Sequence, residues 1–150
     1  MAFDQWMQFY DHYTVIGSKI TVTFMPTDPS TVALGTAIIG IYLGDSPTNL
    51  SGAFSVDEMI EQGKTVYTQL ASPTPKTLTR KFSTKKFFGT KNVNGQPEYK
   101  GTTASNPDDQ AYFHVWVGPT SPVWDAGEVR VTIKIDYIAM LTEPKFLAQS

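Results

Sequence analysis

The stretch of this chain best suited to chemistry is Arg80-Lys81-Phe82-Ser83-Thr84-Lys85-Lys86-Phe87-Phe88, in which cations and aromatic rings are interleaved. Cations neutralise phosphates and ring faces stack on unpaired bases, so this composition suits contact with a single-stranded nucleic acid. With Lys91 just beyond, the candidate phosphate contacts are Arg80, Lys81, Lys85, Lys86 and Lys91. A plainer arrangement is open to the same residues: Phe82, Phe87 and Phe88 as core residues at a strand end, with solvated lysines around them. The charge distribution is uneven. Residues 1–63 carry Asp4, Asp11, Asp28, Asp45, Asp57, Glu58 and Glu61 against Lys19 alone. Residues 64–100 carry Lys64, Lys76, Arg80, Lys81, Lys85, Lys86, Lys91 and Lys100 against Glu98 alone. Such polarity fits a polyanionic partner or head-to-tail self-association, and equally a folded surface over which it averages out.

Catalysis finds little material. His12 follows an aromatic segment, and His114 shares a strand face with Tyr112 and Trp116; no nucleophile motif accompanies either one. Asp57, Glu58 and Glu61 are what the first turns of a helix attract through the helix dipole. Asp108-Asp109, after Asn106-Pro107, could meet a hard cation, but a lone acidic turn is the ordinary start of a loop or helix. No phosphate-binding glycine loop occurs. The chain has no cysteine, which removes disulfides and thiolate metal sites. Asn49-Leu50-Ser51 has the form of a glycosylation sequon, with nothing else that points to secretion. The reading is of a non-enzymatic protein with no cofactor and no metal. No apolar run approaches the roughly 18 residues that span a bilayer, so membrane insertion is not expected.

The elements that must position these residues are mostly strands. Phe3, Trp6, Met7 and Tyr10 lie at i, i+3, i+4 and i+7, one face of a short helix. From Lys19 the period changes to two: Ile20, Val22 and Phe24 point one way, Lys19, Thr21 and Thr23 the other. Strands are predicted over about residues 13–25, 32–43, 64–70, 77–82, 111–118 and 128–141. In the second, Gly35 and Gly40 suggest bulges or close backbone approach. In the last, Val129, Val131, Ile133, Ile135 and Tyr137 are expected to face inward, opposite Glu128, Arg130, Thr132, Lys134 and Asp136. Ser55 and Glu58 form a capping box with Gly63 as the stop, and a further short turn is predicted near 84–88. Residues 89–110 read as a long surface loop that could conceal a strand. At 150 residues the chain is predicted to be one domain, residues 1–150, of the all-β class: a β-sandwich or jelly roll of two antiparallel sheets with short helices in the loops. Only 17% of residues are charged, against roughly 25% in soluble domains, which suits a surface covered by other copies.

Three segments, Asp4–Phe24 (DQWMQFYDHYTVIGSKITVTF), Ala111–Val117 (AYFHVWV) and Val131–Lys145 (VTIKIDYIAMLTEPK), together resemble capsid proteins of circular, Rep-encoding single-stranded DNA viruses, the circovirus-like and related groups. The resemblance runs in order over most of the chain, and the aromatic segment leading into Gly-Ser-Lys-Ile is its most specific part. It implies a viral jelly roll that self-assembles into a small icosahedral shell, simplest as a sixty-subunit T=1 particle, around circular single-stranded DNA. It also implies location in the virion, and in the nucleus or cytoplasm of a host cell during assembly. Such proteins usually begin with an arginine-rich arm and a first strand ahead of the aromatic helix. Here Met1-Ala2 leads directly into that helix, so the expectation is either a fragment of a longer chain or a jelly roll lacking its first strand, which would expose a ladder edge unless another chain covers it. Tyr99, Pro119, Pro122 and Trp124 are the candidate subunit-interface residues, and burial within one subunit is equally open to them. A carbohydrate-binding jelly roll, using Trp6, Trp116 and Trp124 as stacking platforms, is the competing reading; a jelly-roll enzyme is a third, against which the lack of a His-rich metal motif counts.

Overall fold

The computed structural model of the protein describes residues 2–27, 37–47, 55–61, 63–71, 73–120 and 128–146. Six strands carry it: β1 Tyr10–Pro26, β2 Ala37–Gly44, β3 Thr65–Leu70, β4 Lys76–Ser83, β5 Tyr112–Pro119 and β6 Val129–Pro144. Three short helices accompany them: α1 Ala2–Trp6, α2 Val56–Glu61 and α3 Thr84–Phe87. The strands form two three-stranded sheets, ordered β4-β1-β6 and β3-β2-β5. The chain divides into two compact units, residues 19–80 with 111–135, and residues 1–18 with 81–110 and 136–150.

The first of these units is a β-sandwich. Alternation on β1 buries Ile20, Val22 and Phe24, while β2 sends Ala37, Ile39 and Ile41 to meet them. Leu70 of β3 and Leu78 of β4 complete the core, and Val66, Phe113, Val115, Val117 and Val129 pack against it half-buried. In the β3-β2-β5 sheet, β2 is central and antiparallel to both neighbours, with Ile41 opposite Val66 and Val115. The Thr23 and Thr77 hydroxyls meet at 3.0 Å, fixing β1 against β4. At the end of β1, Thr27 donates from both its amide and its hydroxyl to the Glu128 carbonyl, just ahead of β6. The expected capping box is formed: the Glu58 carboxylate accepts from the Ser55 amide at 2.6 Å, and Ser55 Oγ accepts from the Glu58 amide at 3.2 Å. Gly63 follows with φ +63°, the left-handed stop expected after a helix.

The strand order identifies the fold. An eight-stranded jelly roll, numbered along its chain, runs 1-8-3-6 in one sheet and 2-7-4-5 in the other. Removing positions 1 and 2 leaves 8-3-6 and 7-4-5, which is the order β6-β1-β4 and β5-β2-β3 found here. The chain is therefore an all-β, jelly-roll-type sandwich whose described strands occupy the last six positions. Two positions hold no described strand, one beside β6 and one beside β5, where the sequence had suggested one.

In the other unit, α1 is shorter than its apolar spacing implied. Met7 N donates to Phe3 O in one α-turn, but Gln8 N and Phe9 N reach back only three residues, to Gln5 O and Trp6 O. The tightened turn ends the helix, and Tyr10 joins β1 instead of completing a helical face. Met7 is buried, but Trp6 is 56% exposed, and Phe3 rests edge-on against Tyr13 with ring centres 5.0 Å apart. Residues 89–110 contain a 3-10 turn, Pro97–Tyr99, and a two-way bridge between Tyr13 and Gly101, both N–H···O distances 2.9 Å; no described strand lies among them.

The last strand departs from expectation. Val131, Ile133, Ile135 and Tyr137 were expected inside, yet Ile133 is 53% exposed and Tyr137 64%. The alternation is real, and burial fails for a positional reason. β6 is the edge of its sheet, and no described strand flanks it on the far side. Only Val129, at its start, packs against the core.

Candidate nucleic-acid interface

β4 and α3 place the basic stretch. On β4, Leu78, Arg80 and Phe82 share one face, and Thr77, Thr79 and Lys81 the other. Leu78 is buried and Arg80 is half-buried, its Nε enclosed without a hydrogen-bond partner. Arg80 therefore stands on the core-facing side of its strand, while Lys81 projects to solvent. Lys85 and Lys86 are adjacent on α3 and exposed, and Lys91 is exposed in the segment beyond.

What holds α3 is a buried threonine. Thr84 has almost no exposure and donates its hydroxyl to the Val15 carbonyl of β1. The aromatic residues of the stretch then find each other. Phe87 and Phe88 meet edge-to-face at 5.0 Å, Phe82 meets Phe87 at 5.6 Å, and Phe88 lies against Tyr99 at 5.3 Å. Edge-to-face contacts of this kind are favourable beyond the area they bury. The rings thus form a small core under the lysines, and the lysines coat it. Lys81, Lys85, Lys86 and Lys91 are all open to solvent, while the aromatic rings are committed to one another.

Tyr99, a candidate for the subunit interface, lies inside this cluster, 8% exposed. Burial pushes its hydroxyl's pKa up, with Asp109 and Glu98 adding to the rise. Pro119 ends β5 and is exposed. Pro122 and Trp124 fall outside the described residues.

A polar cluster that the sequence did not signal lies at the start of β1. Glu143, near the end of β6, accepts from Lys100 Nζ at 2.6 Å on one carboxylate oxygen and lies 2.9 Å from His12 Nδ1 on the other. Lys145 donates its ammonium to Met7 O and its amide to Phe9 O, and stands 3.6 Å from Asp11. The Lys100 hydrogen bond, assisted by the charge of His12, holds the Glu143 carboxyl below its ordinary value of 4.5, against an opposing effect of burial. Glu143 has φ +60°, a left-handed conformation that is costly for a residue with a Cβ. It also precedes Pro144, which favours extended backbone, so the side-chain contacts hold it where local preference would not. Its partners lie 43 and 131 positions away, which is why no local pattern reveals them.

The two histidines have structural surroundings. His12 joins the Glu143 cluster. His114 Nε2 is 2.9 Å from the Ser46 carbonyl, and its ring lies against Tyr42 and Tyr112. Trp116 lies over Gly40, its indole nitrogen enclosed. Among the described residues no group of three or more His, Asp or Glu side chains could hold a metal, and no helix is long and apolar enough to cross a membrane.

No family model matches the chain, and no curated protein matches it. Among solved structures it is similar to the T=1 subviral particle of a Penaeus vannamei nodavirus capsid protein deletion mutant, at 13% identity and a TM-score of 0.44, over 94% of this chain and 74% of that one. The fold assignment rests on the strand order above.

Proposed function

We propose that the protein is a non-enzymatic viral coat protein whose copies assemble into a small closed shell around circular single-stranded DNA. The observation that carries this reading is the jelly-roll strand order, in a sequence of which three segments resemble coat proteins of that virus class. Low charge and an uncovered apolar row on β6 support it, because large permanent interfaces are apolar. In this reading Lys85 and Lys86, held outward by the Thr84 anchor, contact DNA phosphates, joined by Lys81 and Lys91. Arg80 contributes through its half-buried place on β4. Exposed Pro119 belongs to a subunit contact, with Pro122 and Trp124 beyond it, whereas Tyr99 supports the aromatic cluster from within. The working location is the virion.

Electron microscopy of the purified chain, with absorbance at 260 and 280 nm on the same sample, tests the proposal. Closed particles carrying nucleic acid support it. A carbohydrate-binding sandwich is the second reading, favoured by Tyr42, Tyr112 and His114, clustered on the face of the β3-β2-β5 sheet opposite Ile39 and Ile41. A strictly monomeric chain that binds glycans at that face would establish it instead.

A further inference from the structure

β6 is the most exposed of the described strands. Sixteen residues long, it forms the edge of the β4-β1-β6 sheet. Val131, Ile133, Ile135 and Tyr137, one side of its pleat, are all open to solvent. A long edge with an apolar face is a template for another strand, and a soluble protein must give it a specific partner or suffer unspecific pairing.

The sequence of β6 says which partner. In an antiparallel pair related by a two-fold axis, residue i of one copy faces residue j of the other, and j faces i. Centred on Ile133, the apolar row meets itself: Ile133 faces Ile133, Val131 faces Ile135, and Val129 faces Tyr137. On the other side of the pleat Arg130 faces Asp136, and Thr132 faces Lys134. Shifting the centre to Thr132 sets Arg130 against Lys134; shifting it to Lys134 sets that lysine against itself. Directly opposed like charges are destabilising, so both shifts are selected against. Centring on Ile135 would pair Lys134 with Asp136 but leave Arg130 opposite Met140. Lys134 and Asp136 also have partners within their own chain, so the Arg130–Asp136 contact adds to an existing polar set.

We infer that β6 is an interface between two copies of this chain, paired antiparallel about Ile133 to join two three-stranded sheets into one of six strands. The inference rests on β6 alone and stands whether or not a closed shell forms.

The test uses the whole chain. Ile133→Cys should give a disulfide-linked dimer under mild oxidation, whereas Ile135→Cys, which would face Val131 of the second copy, should give at least tenfold less. The chain has no other cysteine to confuse the result. Arg130→Asp should weaken dimerisation in light scattering at least tenfold, and Arg130→Asp with Asp136→Arg should restore it. Circular dichroism of each variant confirms that it remains folded. A chain that stays monomeric at high concentration, equal crosslinking at 133 and 135, or no rescue by the double charge exchange would each overturn the pairing. Particles formed by a chain that fails these tests would dispose of the β6 pair and leave the coat-protein reading standing; a β6 dimer without particles would do the reverse.

Discussion

Gly40 lies directly beneath the indole of Trp116. A Cβ placed on Gly40 would come within 2.4 Å of the ring carbons Cε2 and Cζ2. The two residues face each other across the β2–β5 ladder, with Tyr67 on Gly40's other side. Glycine in a strand interior ordinarily weakens it, so alanine there would normally help. Here the indole must move and its neighbours with it. Gly40→Ala is predicted to destabilise the fold by about 1–3 kcal/mol, the usual cost of overpacking. Urea unfolding followed by tryptophan fluorescence checks this; a gain in stability would show that the indole is free to swing away.

The two sides of the β1–β6 pair should differ sharply in their tolerance of change. Phe24 is wholly buried, and Phe24→Ala should cost about 3–5 kcal/mol. Ile133→Thr, at a position half open to water, should change the stability of the monomer by no more than about 0.5 kcal/mol. Both are read from chemical denaturation at protein concentrations low enough to avoid association. Similar losses for the two would mean that β6 is covered within its own chain.

The capping box of α2 gives a local test. Ser55→Ala removes the acceptor for the Glu58 amide and should cost about 1 kcal/mol. Hydrogen exchange should show the loss concentrated on residues 56–61, with the β2 ladder protected as before. An equal loss of protection along β2 would mean that α2 and the sheet unfold together.

Acid should release the Glu143 cluster. Glu143 has a folded-state pKa below its ordinary value of 4.5, chiefly through the Lys100 hydrogen bond. A carboxylate shifted down stabilises the fold above its unfolded value and loses that contribution as pH falls through the folded value. Glu143→Gln should therefore be less stable than the native chain at pH 7, and the gap should narrow steadily below pH 4.5. Screening of this partly exposed group makes the gap smaller in high salt. A gap independent of pH would show that the charge of Glu143 is not its source.

Charge reversal at Lys85 and Lys86 should leave folding intact, since both side chains are exposed, while lowering the nucleic acid recovered with the protein. The ratio of absorbance at 260 to 280 nm in purified material reads this directly. An unchanged ratio would remove these two lysines from the proposed nucleic-acid contact.

Much of the fold is written locally. The alternation of Ile20, Val22 and Phe24, and the β-branched run of β6, fix strands with their true pleat, and Ser55 with Glu58 fixes a helix start. Gly40 is a similar case, since a glycine inside an apolar strand predicted close approach and the Trp116 ring supplies it. Gly35 lies outside the described residues. Burial is another matter, because it depends on neighbours. β6 has the pattern of an inside strand and lies open because its place at the sheet edge is a property of topology. The aromatic segment misled for a related reason: its spacing suits a helix, but the turn tightens after Trp6 and Tyr10 is drawn into β1. The basic stretch was visible by composition alone, while the division of Arg80 from Lys81 follows from strand parity. The Glu143 cluster joins residues too distant in sequence for any motif to reveal.

The central claim is that copies of this chain close into a nucleic-acid-containing shell. Negative-stain electron microscopy of the purified full chain, fractionated by size, tests it most directly. The account predicts closed particles of uniform diameter whose fraction carries a 260 nm absorbance excess that nuclease cannot remove while the particles are intact. A chain that elutes only as monomers or dimers, free of nucleic acid across the range of salt and protein concentration, would contradict it.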